Sequence, residues 1–288
     1  MATQQTRLLG RLAVAPSVIV LFLWMIVPLA LTIYFSLLRY NLLDPGNESF
    51  VGLLNYEYFL SDPTFFAAIG NSLKLVFAVL AISVIGGILL ALLLDQAIVG
   101  LNIVRLMVIA PFFVMPTVSA LVWKNMFMHP VSGLIAWLMK SVGLEPIDWF
   151  AQYPLTAVVI MVAWQWLPFA TLILLTAIQS LDEEQKEAAE MDGTPPLSYF
   201  YYIVLPHLAR PITVVILIET IFLLTVFAEI YVTTGGGDRT NNLAFLIYSA
   251  ALKQYDIGAA SAGGLVAVVL ANIIAFFLVR LVGKNLDA

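Results

Sequence analysis

Long uncharged apolar stretches alternate with short polar interruptions along the whole chain, and their lengths predict membrane-spanning helices. A span needs about 20 predominantly apolar residues. Leu12 to Leu38 is uncharged for 27 residues and predicts the first helix, and Leu75 to Leu94 gives 20 for the second. Leu106 to Trp123 gives 18 for the third, interrupted by Pro111 and Pro116, prolines that membrane helices tolerate as kinks. Trp149 to Leu181 is uncharged for 33 residues, with the fourth helix starting near Pro154. The fifth, Pro211 to Thr233, carries Glu219 and Glu229. The sixth, Ile257 to Val279, opens with small residues suited to close helix packing.

The predicted fold is therefore all-α: a polytopic membrane protein, one transmembrane domain over 1–288 with six spans. An even number of spans puts both termini on one side. Arg7 and Arg11 before the first helix favour the cytoplasm for that side. The first loop beyond it, Tyr40 to Phe66, holds Asp44, Glu48, Glu57 and Asp62 and no Lys or Arg, as an external loop should. The first span is too long for a signal-peptide core, so it is expected to be retained.

Composition narrows the function. The chain is 62% hydrophobic and 11% charged, against about 25% charged in a soluble domain. Cysteine is absent and the two histidines, His129 and His207, are far apart, which argues against disulfides and against a metal centre. No GxxxxGK[ST] run occurs, so nucleotide energy would have to come from another subunit. With no His cluster, Cys or Ser–base pair within a span, an intramembrane enzyme is not expected.

One polar interruption is patterned. Between Asp182 and Pro211 lies a segment whose first eleven positions, to Asp192, hold six of the 18 acidic residues. Asp182 can cap a helix with Gln185 reaching back, and Glu183 and Glu184 sit where the helix dipole favours anions. Gly193 is placed as a left-handed terminator. Thr194 can then cap a second helix with Pro195 at its first position. Leu197, Phe200, Tyr201 and Val204 recur at helical spacing, one apolar stripe, and Pro206 closes that helix. Glu183, Glu187 and Glu190 share one face of the first helix. The pattern leaves open whether this is a solvated loop with an interfacial helix or a docking segment.

The residues Glu187-Ala188-Ala189, Asp192-Gly193, Phe200, Ile203, Leu205-Pro206 and Pro211 resemble, without a gap, the EAA signature of ABC importer permeases. Trp123-Lys124, Met126-Phe127, Pro130 and Gly133-Leu134 resemble a loop pattern of the sugar-type permeases. So do Trp164, Pro168-Phe169, the run from Thr233 to Gly237, and Asp256, Gly258, Ala260 and Ala262. Departures fall at Glu190, at Ala136, where Asn is usual, and at Asp238, where Pro often follows the glycines. Arg11 to Asn41 is most similar to polyol (sorbitol/mannitol) permeases.

The resemblance implies a bacterial inner-membrane permease that pairs with a second permease, two cytoplasmic ATPase subunits and an external substrate-binding protein. It implies no cofactor for this chain, ATP and Mg being bound by the ATPase, and no nucleic-acid partner. Residues 182–206 would form coupling helices docked in an ATPase groove. Glu187, Ala188, Ala189, Asp192, Gly193, Phe200, Leu205 and Pro206 would carry that contact, with Glu187 central and Gly193 the elbow.

The resemblance also places a substrate pocket on the helices either side of that segment. A polyol wants hydrogen-bonding groups and aromatic faces. Gln165, Trp166 and Phe169 share a face of the fourth helix, and Glu219 and Phe222 one of the fifth. An ionisable residue within a span is read as functional by default, so Glu219 leads as a hydroxyl acceptor. Glu229 is expected to face water near the outer end, and Lys124 to be an interfacial anchor. The alternatives are a permease for an oligosaccharide or glycerol phosphate, the latter disfavoured by the lack of Arg or Lys within a span, and a stand-alone carrier in which Glu219 and Glu229 bind protons.

Overall fold

The computed structural model of the chain describes residues 4–96, 100–237 and 239–283, with backbone alone at 4–12, 278–279 and 281–283. The orientation markers Arg7 and Arg11 and the departure at Asp238 lie outside the described side chains. The chain forms two compact units, one built from the residues up to Asp62 with Ile247–Val268, the other from Pro63–Leu246 with the residues after Val268.

In the first unit α1 (Gln4–Ser36) leads into a two-stranded antiparallel hairpin, β1 (Leu38–Arg39) and β2 (Ser49–Phe50), and then α2 (Leu54–Ser61). The loop expected between the first two spans is thus partly folded. Asn55 Nδ2 donates to Ser36 O and Leu38 O, both at 2.8 Å, and Ser36 Oγ pairs with the Tyr56 hydroxyl at 2.6 Å. These bonds satisfy the end of α1. Along α1 large apolar side chains such as Trp24 and Met25 stand exposed.

The second unit begins with α3 (Pro63–Leu94), which starts twelve residues before the predicted Leu75. It continues through α4 (Leu101–Ile109), α5 (Pro116–Val122), α6 (Leu134–Ser141), α7 (Trp149–Gln152), α8 (Pro154–Ile178), α9 (Glu183–Met191), α10 (Pro196–Tyr199), α11 (Leu205–Leu223), α12 (Ala228–Thr233) and α13 (Leu243–Tyr248). The last helix, α14 (Ile257–Gly283), contributes to both units. Ala13–Ser36, Pro63–Leu94, Pro154–Ile178, Pro196–Leu223 and Ile257–Phe277 are each long and apolar enough to cross a membrane. Leu101–Phe113 with Pro116–Phe127 makes a sixth span if the pair is counted together. That pair is bent by 105°, far beyond a proline kink, because Val114 between the two prolines is extended.

The core of this unit is the α3–α8 pairing. Leu75, Val76 and Val79 of α3 and Val158, Met161 and Val162 of α8 are all buried. Lower on the same helices Gly87 allows close approach: a Cβ there would lie 3.0 Å from Ala170 Cβ. Below that, Ala91, Leu94, Leu174, Leu175 and Ile178 form one buried cluster with Val204 and Leu208. The polar segment after α8 is therefore mounted on the best-packed part of the unit.

Three expectations for the fifth span are corrected. Pro206 does not close a helix, and Pro211 does not open one. α10 passes through a wide π-type turn, Phe200–Val204, directly into α11, one helical run of 28 residues from Pro196 to Leu223. The wide turn absorbs Pro206, whose ring and missing N–H would break a regular helix. The span then ends at Leu223, not Thr233; Phe227 leaves helical geometry (φ −142°) and α12 is separate.

We expect Gly87→Leu to overpack the α3–α8 contact at a cost of about 1–3 kcal/mol. The thermal midpoint of the detergent-solubilised protein should fall measurably. Gly70→Leu, on the same helix with open space around its Cβ, should not lower it.

Candidate functional site

Two polar features stand out in the second unit: a pocket beside the break between α11 and α12, and the elbow between α9 and α10. The pocket, about 210 Å³, is lined by Pro116, Gln165, Trp166, Phe222 and the stretch from Thr225 to Glu229. It exists because two helices break there. Where the α4–α5 pair bends, the carbonyl of Val114 is left over and Gln165 Nε2 donates to it at 2.6 Å. Gln165 Oε1 is then buried without a hydrogen-bond partner. At the α11–α12 break Asn242 Nδ2 donates to Val226 O.

Trp166 and Phe222 form the aromatic wall, with ring centroids 5.1 Å apart. Phe169 does not line the pocket; it packs edge-on to Trp166 at 5.9 Å and stacks on Phe112 at 5.7 Å, bracing the wall from behind. Glu219 is also outside the lining. It is fully buried, and Ser83, itself buried, is the side chain set against its carboxyl. Glu229 was expected in water and is instead 4% exposed, on the first turn of α12 and in the pocket wall. No Lys or Arg lines this pocket among the described residues.

Lys124 does more than the anchoring expected of it. It sits in the π-type turn Trp123–Phe127 that follows α5, and its Nζ donates to Val232 O at 3.1 Å and Thr233 O at 2.9 Å, the last carbonyls of α12. His207 donates from Nε2 to Ala177 O at 2.9 Å, near the end of α8.

The elbow largely follows the sequence pattern. Asp182 Oδ1 accepts from Glu184 N at 3.1 Å, the predicted cap; Gln185 makes no reach-back bond among the described residues. Gly193 is left-handed (φ +64°). Thr194 N donates to Ala189 O at 3.0 Å and Gly193 N to Glu190 O at 3.1 Å, a complete Schellman closure. Thr194 does not cap the next helix. Pro195 precedes Pro196 and is held extended at ψ 145°, so the helix starts one residue later, at Pro196. Of the expected apolar stripe Phe200 and Val204 face the core, while Leu197 and Tyr201 are exposed. Glu183, Glu187 and Glu190 are exposed along one face of α9, and Met191 is 88% exposed at its end. Ala189 is buried, Ala188 and Asp192 are exposed, and Leu205 and Pro206 lie at the start of α11. A cleft of about 190 Å³ inside the elbow is lined by Lys186, Ala189, Glu190, Thr194, Pro196 and Tyr199.

The chain is similar to known proteins over most of its length. It is 35% identical over 253 residues, 86% of this chain and 81% of the other, to a probable ABC transporter permease protein, y4oQ, of Sinorhizobium fredii. It is 33% identical over 260 residues, 88% of this chain and 86% of the other, to the trehalose/maltose transport system permease protein MalF of Thermococcus litoralis. Its fold matches a chain in the crystal structure of a bacterial ABC transporter that imports the acidic polysaccharide alginate, with a TM-score of 0.80 and 21% identity over 98% of this chain and 96% of that one. Residues 97–288 match the model of one family, and the chain belongs to it: the inner membrane components of binding-protein-dependent transport systems.

Proposed function

We propose that the chain is one of two permease subunits of an ATP-driven importer that takes up a neutral sugar or a sorbitol- or mannitol-like polyol by alternating access. The observation that carries the substrate class is the pocket. Gln165 and Glu229 bring polar side chains to its wall, Trp166 and Phe222 offer aromatic faces to C–H surface, and no Lys or Arg lines it among the described residues. That chemistry suits a neutral polyhydroxylated solute and disfavours glycerol phosphate, whose dianion wants Arg or Lys. The 33% identity to a trehalose/maltose permease supports the sugar class; the polyol part of the proposal rests on the resemblance of Arg11 to Asn41 alone. The pocket's volume is below the ~300–1,000 Å³ usual for small-molecule sites. A second permease completes the cavity in this reading, and the exposed apolar length of α1 supports such a partner.

The segment 182–206 serves as the coupling helices for an ATPase that binds ATP and Mg. Glu187, Ala188, Ala189, Asp192 and Gly193 present the docking elbow, and Phe200, Leu205 and Pro206 join it to the membrane span. Both termini are cytoplasmic, as the elbow then is.

The deciding experiment is co-purification from the native membrane followed by ATPase stimulation by the binding protein loaded with sorbitol, mannitol, maltose, trehalose or glycerol 3-phosphate. Stimulation and uptake by neutral members only are expected. Proton-driven uptake by this chain alone would support the stand-alone carrier and reject the proposal.

Substitutions at four positions test it. Trp166→Ala should raise KM for the accepted sugar about tenfold, the weight of one lost aromatic contact, as read from uptake at graded concentrations. Gly193→Val should abolish ATP-driven uptake at normal membrane levels, because the left-handed conformation costs a β-branched residue at least about 1–2 kcal/mol. Gly193→Asn, which tolerates that conformation, should retain uptake, and Glu187→Lys should reduce the ATPase recovered with the permease. Glu219→Gln should change the maximal rate without changing KM, since a fully buried carboxyl can meet the solute only after α11 moves; a change confined to KM would place Glu219 in the resting site.

A further inference from the structure

We propose that Lys124 is a positioning residue for the pocket: by holding the C-terminal carbonyls of α12 it fixes Glu229 in the pocket wall. The inference rests on the pocket being the substrate site.

α12 is six residues long and irregular on both sides. Before it the chain leaves helical geometry at Phe227, and after it come Gly235, Gly236 and Gly237, the first two with positive φ. So short a helix, flanked by such connections, does not hold its own orientation. Its first turn carries Glu229, and its last turn presents the carbonyls of Val232 and Thr233, which the helix itself cannot satisfy. The Lys124 ammonium bonds both, at 3.1 and 2.9 Å, and a cation there also meets the negative end of the helix dipole. Between the two ends the turn is closed by Thr233 Oγ1, which donates to Glu229 O. The acceptor of that bond is the backbone carbonyl of Glu229, whose side chain lines the pocket, and the threonine that donates it has its own carbonyl held by Lys124. Lys124 makes no ion pair with a carboxylate among the described residues, so its charge is committed to α12. It comes from the turn after α5, whose first residue, Pro116, also lines the pocket. One lysine thus links two walls of the same pocket.

The test uses the complete transporter. Lys124→Met, Lys124→Arg, Glu229→Gln and the double variant Lys124→Met with Glu229→Gln are assayed for uptake of sorbitol, maltose and trehalose. The expected result is a KM raised about tenfold in Lys124→Met, the effect of losing one charge-assisted hydrogen bond. Lys124→Arg, which keeps donors for two carbonyls, should restore KM to within about threefold. In the double variant KM should rise no further than in the larger of the two single changes. A second readout needs no transport. The chain has no cysteine, so Ala228→Cys reports the pocket alone. Its reaction with a small thiol reagent in native membranes should speed up in Lys124→Met and not in Lys124→Arg.

Equal loss of maximal rate in Lys124→Met and Lys124→Arg, with KM and labelling unchanged, would overturn the proposal and leave Lys124 as a packing residue. Independent, multiplying effects of Lys124→Met and Glu229→Gln would also overturn it. An unaltered KM in Glu229→Gln would instead reject the pocket as the substrate site, a failure of the underlying reading that the labelling result distinguishes from a failure of the Lys124 link.

Discussion

A helix that ends inside a membrane protein leaves carbonyl groups that lipid cannot satisfy, and each costs several kcal/mol if left bare. The second unit is arranged around meeting that demand. Arg105 donates to Leu94 O at the end of α3, and Gln165 to Val114 O where the third span bends. Asn242 donates to Val226 O just past the end of the fifth span, and Lys124 to Val232 O and Thr233 O at the end of α12. Each donor comes from a different element, so each bond that closes a helix end also pins two pieces of chain together. The pocket lies where two such ends meet. Interrupted backbone is tolerated at membrane depth where it lines a cavity, and a cavity lined by interrupted backbone already holds the polar groups a sugar needs.

The spans and the elbow were legible in the sequence because both depend on local rules. Uncharged length marks a span, and the positions of Asp182 and Gly193 mark a capped helix and its stop. What was not legible depends on partners distant in the chain. Nothing near Lys124 in sequence says that its ammonium reaches carbonyls more than a hundred positions on, so it read as an anchor. Glu229 read as a water-facing end of a continuous fifth helix because hydropathy does not register the break at Phe227. The opposite error occurred at Pro206, where a proline read as a stop and a wide turn let the helix continue. The spacing that set Gln165 and Trp166 on one helix face and Phe222 on another survives in α8 and α11, and the three line one pocket. Glu219 was chosen by the same rule, yet its burial beside Ser83 keeps it out of the pocket in this conformation.

The continuous helix from Pro196 to Leu223 changes how the two polar features relate. At about 1.5 Å per residue its 28 residues span roughly 40 Å, with the elbow at one end and Phe222 in the pocket wall at the other. Two separate helices joined at Pro206 would let a push on the elbow dissipate in the joint. A single rod carries it along its length. The lower end is not free, because Val204 and Leu208 are packed into the cluster with Leu174 and Ile178 of the neighbouring span. At the upper end the rod stops at Leu223 and only short irregular chain separates it from α12. A packed lower path and a jointed upper end are the two properties that the proposed coupling role of the elbow requires.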